Sequence, residues 1–137
     1  MKIRPSAAVT AVVLACLAIP SAATPAAAAG PTVQCATLGV SSYLSATRES
    51  LDTLRPLDLW VRDTEADGHH VAVRLISQES DGDIVTWRWH HYYGGSGDGT
   101  EWRTYASSSE GIRRVKVQAA VFEGDTQIRQ CQSGWDA

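Results

Sequence analysis

The sequence predicts an all-β fold, an antiparallel sandwich of about seven to eight strands closed by one disulfide, on three observations. Beyond residue 30 no stretch carries convincing helical periodicity. Short alternating runs rich in Val, Ile, Thr and aromatic residues are separated there by Gly and Asp turns. Two cysteines, Cys35 and Cys131, stand near the two ends of that region.

The first 29 residues are expected to be a leader rather than part of the fold. Lys2 and Arg4 precede an apolar run from Ala7 to Ile19, followed by Pro20, Ser21 and alanines through Ala29, the order of a secretory signal peptide. The run falls short of the roughly 20 residues that cross a bilayer as a helix, and no later stretch is long enough, so no membrane span is expected. Cleavage is placed after Ala29, with Ala23 as an alternative. Val13-Leu14-Ala15-Cys16 faintly resembles a lipobox, which leaves lipid anchoring through Cys16 as a minor alternative to free secretion.

Residues 30–137 then form a single domain. Without the leader, Lys plus Arg falls from 12 to 10 against 15 Asp plus Glu, a net charge of −5. That balance argues against a nucleic-acid surface. Lysine occurs only at Lys2 and Lys116, and this Arg bias with the Ala-rich leader points to a GC-rich bacterial genome. A domain of this length buries a limited core, so a covalent staple matters. Cys16 departs with the leader, and Cys35 and Cys131 are left to pair in an oxidising compartment. On the chain-entropy model a loop of that length contributes about 4–5 kcal/mol.

Strands are read near 32–37, 40–46, 57–63, 69–78, 84–93, 102–107, 112–122 and 127–132, with 41–54 ambiguous in period. The hairpin of the fourth and fifth runs can be derived. A three-residue loop Ser80-Asp81-Gly82, with Gly at the left-handed position, pairs Glu79 with Asp83. Val71, Val73 and Leu75 then share one face with Val85, Trp87 and Trp89, whereas a two-residue loop would split the two apolar sets. The same parity sends His70, Arg74, Arg88, His90 and Tyr92 outward, with Arg74 across from Arg88 and His70 across from Tyr92. Alternation adds Leu57, Leu59, Val61, Trp102, Val115, Val117, Ala119, Val121 and Ile128 to the core. Counting on from Ile128 puts Cys131 on the outer face, which a bulge or a surface disulfide would resolve.

The runs Leu57-Asp58-Leu59-Trp60-Val61-Arg62-Asp63 and Asp67-Gly68-His69-His70-Val71-Ala72-Val73-Arg74-Leu75 carry a resemblance, with Glu101-Trp102-Arg103-Thr104-Tyr105 and Val115-Lys116-Val117-Gln118-Ala119. They resemble immunoglobulin-like sandwich modules of secreted bacterial proteins of the Gram-positive type, over roughly residues 48–131. The resemblance implies the fold. Such modules serve adhesion, spacing and sugar binding without a shared active site. The cysteines depart from the antibody pattern, since they lie near the ends and not on two central facing strands.

Four groups of residues could carry chemistry. Arg74 opposite Arg88, flanked by His70 and His90, gathers like charge on an acidic protein. Either neighbouring carboxylates neutralise it or an anionic ligand does, held in guanidinium forks. His69-His70 and His90-His91 offer one ligand per strand face and make a two-His zinc site conceivable, without obvious further ligands. Asp63, Glu65 and Asp67 with Gly68 match the opening of a calcium loop, but position 12 is Arg74, and a solvated turn is the better reading. Trp87, Trp89, Tyr92, Tyr93 and Trp102 surround a Gly-rich segment, 94–99, read as a mobile hairpin tip, with Trp60, Tyr92 and Phe122 as the exposed rings a sugar could stack on.

No nucleophile–base spacing or complete metal set emerges. Glu101, His90 or His91, and Arg103 supply the residue types of a secreted ribonuclease, but no helix accompanies them. The expected function is therefore a secreted, non-catalytic binding or interaction module, monomeric and without cofactor. Its partner would be an extracellular protein, a glycan or an anionic ligand, met at the 92–102 loop or the Arg74/Arg88 face. The alternatives are a secreted inhibitor presenting the 92–102 loop to an extracellular hydrolase, and a small carbohydrate-binding module.

Overall fold

A computed structural model describes residues 30–136; the leader with Cys16 lies outside the described residues. The alternating runs form nine strands: β1 (Thr32–Thr37), β2 (Val40–Arg48), β3 (Thr53–Asp63), β4 (His70–Glu79), β5 (Ile84–Thr86), β6 (His90–Tyr92), β7 (Gly99–Ser107), β8 (Ile112–Glu123) and β9 (Thr126–Gln132). They make two antiparallel sheets, one in the order β1-β2-β3-β7 and one in the order β5-β4-β8-β9, with β6 also paired to β4. The chain is an all-β sandwich.

One apolar face of each sheet meets the other. Leu44, Leu57, Leu59 and Val61 from the first sheet pack on Val71, Val73, Leu75, Val115, Val117 and Val121 from the second, all essentially without solvent contact. β3 begins at Thr53, four residues before its expected start. Pro56, which cannot donate to a ladder, falls where the pairing slips, between Leu54 and Leu57, and the strand runs on past it.

Cys35 on β1 is bonded to Cys131 on β9, with Cα atoms 5.8 Å apart, and this joins the outermost strands of the two sheets. Such a bond belongs to an oxidising environment. Cys131 reaches the inner face through a slip in β9: Val121 pairs with Arg129 but Phe122 with Gln127, leaving Ile128 as the extra residue. Ile128 is consequently exposed at 38%, not in the core, and the count beyond it shifts by one face.

The β4–β5 hairpin follows the expected register, with Ile76 opposite Thr86, Ser77 opposite Val85 and Gln78 opposite Ile84. Its three-residue turn is closed by Glu79 N–H donating to Asp83 O at 2.8 Å, and Gly82 takes φ 101°. Trp87 N–H still bonds Leu75 O at 3.1 Å, as that register requires. Beyond it the strand bulges. Pairing resumes with Val73 opposite His90, Ala72 opposite His91 and Val71 opposite Tyr92, one residue out of step.

That bulge overturns the outward set derived beyond Trp87. Trp89 leaves the core for the outer face, where it packs with Ala72, Ala120 and Phe122. His90 and Tyr92 now stand opposite the inward Val73 and Val71, while His91 takes the outer face beside His70. Arg74 does not face Arg88: its guanidinium lies over the Trp89 ring, and its Nε donates to Gln118 Oε1 at 2.6 Å. The physical cause is bulk. An unbroken alternation would place both Trp87 and Trp89 between the sheets; the extra residue lets only Trp87 enter and seats Trp89 against Ala72, Ala120 and Phe122 on the outer face.

Candidate functional site

The disulfide closes one side of the sandwich, between β1 and β9. On the other side the edges are β7 and the broken β5–β6 strand, and there the sheets stand apart. A cleft of about 570 Å³ opens between them, lined by Leu57, Leu59, Leu75, Trp87, Arg88 and His90, with Thr104, Tyr105 and Ser107 along β7. A neighbouring recess of about 460 Å³ shares Arg88, His90 and Thr104 with it and adds Trp89, His91, Trp102 and Arg103. The two form one groove along the open edge.

Leu57, Leu59 and Leu75 form its apolar floor, each with no more than 2% of its surface exposed. Trp87 is fixed as a wall by its indole N–H, which donates to Ser77 Oγ at 2.9 Å. His90 packs against Trp102 with ring centres 5.2 Å apart. Burial first, and then the nearby Arg88 and His91, push the His90 imidazole below its ordinary pKa, so it is neutral at pH 7. Arg103 is engaged elsewhere, with Nε and Nη2 on the two Asp58 carboxylate oxygens at 2.8 and 3.1 Å. Arg88 is different: among the described residues it has no salt-bridge partner, and it stands exposed on an apolar cleft.

The site residues read from sequence are thus divided. Arg88 and His90 line the groove. Arg74 and His70 lie on the outer face of the second sheet with Tyr93, which is 73% exposed and stacks on His70 at 4.3 Å. Tyr92 turns inward, and interaction with the Asp98 carboxylate raises the pKa of its hydroxyl. Phe122 is buried under the outer-face cluster, with only 6% of its surface exposed, so it is no exposed platform. Trp60 stays on the outer face of the first sheet, stacked on Tyr43 at 5.4 Å.

The calcium reading finds no gathered ligands. Asp63 Oδ1 accepts the Glu65 N–H, Glu65 pairs with Arg129 at 3.1 Å, and Asp67 pairs with His69 at 2.9 Å. Among the described residues no three His, Cys, Asp or Glu stand together as a metal site. The ribonuclease trio is also divided, because Glu101 accepts the Tyr43 hydroxyl at 2.7 Å on the outer face. The Gly-rich segment is no free hairpin tip. It crosses from one sheet to the other and is tied to the end of β3, where Gly97 N–H donates to Asp63 O and Asp63 N–H to Asp98 O.

Sequence reasoning missed the β7 side of the groove, Thr104, Tyr105 and Ser107. The signal was the crowding of bulky residues in Trp87-Arg88-Trp89-His90, which no single strand face could absorb. No family model, characterised protein or solved structure matches the chain.

Proposed function

We propose that the protein is a secreted, non-catalytic binding module of the immunoglobulin-like kind that receives a small amphipathic anion in its open-edge groove. The carrying observation is Arg88, a guanidinium without a carboxylate partner among the described residues, set beside the leucine floor and Trp87. A long-chain or aromatic carboxylate meets both demands: its body lies against Trp87 and the exposed Tyr105 over the leucine floor while its head is held by Arg88. The threading of the chain supports the fold reading. Taking β2, β3, β4, β7, β8 and β9 as A, B, C, E, F and G, the sheets run A-B-E and C-F-G, and the β5–β6 edge stands as C′.

The test is a titration followed by tryptophan fluorescence, with dodecanoate, dodecanol and dodecyltrimethylammonium kept below their micelle concentrations. Dodecanoate is expected to bind best. Arg88→Ala should weaken it by about 1.5–3 kcal/mol, roughly ten- to a hundredfold, and leave dodecanol unchanged. Equal affinity for all three head groups, or no binding of any, overturns the reading.

The tie between the 93–98 segment and Asp63 favours one second reading, a secreted inhibitor that presents this held loop, with exposed Tyr93, to an extracellular hydrolase. Inhibition assays against secreted proteases and amylases, with Tyr93→Ala as the variant, decide it.

A further inference from the structure

On the outer face of the second sheet, beside the recess that His91 also lines, the start of β4 and the middle of β6 bring two imidazoles together. His70 Nε2 lies 3.0 Å from His91 Nδ1. Two neutral imidazoles at that distance share either one hydrogen or one metal ion. We propose that His70 and His91 form a cis bis-imidazole chelate for divalent copper, with solvent completing the coordination.

Geometry admits a chelated metal. With metal–nitrogen bonds of about 2.0–2.1 Å, a 3.0 Å nitrogen separation corresponds to an N–metal–N angle of roughly 91–97°. That is the cis angle of a tetragonal site, the preference of Cu(II) and Ni(II), and the Irving–Williams order puts copper first. A structural zinc site would need four protein ligands. Among the described residues no third His, Cys, Asp or Glu joins the pair. The site therefore keeps open positions for water, which a tetragonal ion accepts.

The rings are held before any ion arrives. His70 is stacked between Tyr93, at 4.3 Å and 27°, and Phe122, at 5.4 Å and 17°. His91 packs edge-on to the same Phe122 at 5.0 Å. Little side-chain freedom remains to be lost on binding.

The experiment is a Cu(II) titration of the purified protein at pH 7 in a non-coordinating buffer, read by electron paramagnetic resonance. The expected result is one equivalent of tetragonal copper coupled to two imidazole nitrogens, a count that needs no variant. His70→Gln and His91→Gln should each lose that signal, and His90→Gln, on the groove side of β6, should keep it. Copper that does not bind, a signal that persists in both variants, or displacement by equimolar zinc overturns the proposal.

Discussion

The Arg74 guanidinium lies 4.1 Å from the centre of the Trp89 ring, and the ring meets Phe122 edge-on at 5.5 Å. Together they roof Ala72 and Ala120, two small residues with no solvent contact on what is formally the outer face of the second sheet. Trp89→Ala removes that roof and the cation–π contact together, so it should cost about 2–3 kcal/mol. Arg74→Lys keeps the charge but loses the planar donor to Gln118, at about 1 kcal/mol. Urea denaturation measures both, and an unchanged midpoint for Trp89→Ala would mean that the stack stabilises nothing.

The Cys35–Cys131 bond joins positions 96 residues apart in the chain. Its loss acts chiefly on the unfolded state, so the Cys35→Ala, Cys131→Ala double variant should lose about 2–5 kcal/mol. The groove lies on the opposite side of the sandwich. Below its lowered melting temperature the variant should bind dodecanoate as the parent does, and calorimetric titration of both proteins makes the comparison. A large loss of affinity at a temperature where the variant is folded would show that the staple also sets the spacing of the far edge.

Most of the fold was legible because alternation is a strong signal wherever one face is dry. β1 was bounded to the residue, and the β4–β5 register followed from asking that Val71, Val73, Leu75, Val85, Trp87 and Trp89 share a face, a demand that all but Trp89 meet. The failures sit at the slips in pairing. Nothing local marks Ile128 as an extra residue in β9, and nothing but bulk marks the break after Trp87. Because a slip of one residue inverts every side chain beyond it, the candidate site suffered more than the fold: His90 and Tyr92 changed faces, and Arg74 parted from Arg88. The groove itself joins β7 to β5–β6, two edges far apart in sequence that no periodicity relates.

Stability should decline in two steps as the pH falls. His70 and His90 have folded pKa values lowered from 6.5 by burial, so below about pH 6.5 the unfolded chain takes up protons that the folded chain refuses. That step runs downward to their folded pKa values and then levels. Asp58, lowered from 3.8 by its hydrogen bonds to Arg103, contributes stability above pH 3.8 that is lost below it, as its folded pKa is passed. Melting temperature against pH measures both. His70→Gln with His90→Gln should flatten the upper step and spare the lower, and an unflattened upper step would assign it to other groups.

Gly99 opens β7 opposite Arg62, and a Cβ placed on it would lie 2.6 Å from the Val61 carbonyl oxygen. No side-chain rotation relieves a clash with backbone, so in Gly99→Ala the start of β7 must move away from β3, at about 1–3 kcal/mol. Gly95 makes the contrast: it has φ +90° but nothing within 4 Å of an added Cβ, so Gly95→Ala costs only the strain of a left-handed alanine, about 1–2 kcal/mol. The two substitutions differ in where the cost falls, not in its size. Hydrogen exchange should show faster opening of the β7 amides, and with it weaker dodecanoate binding, in Gly99→Ala alone. Equal β7 protection in the two variants would mean that the groove wall does not depend on the close approach of Gly99 to β3.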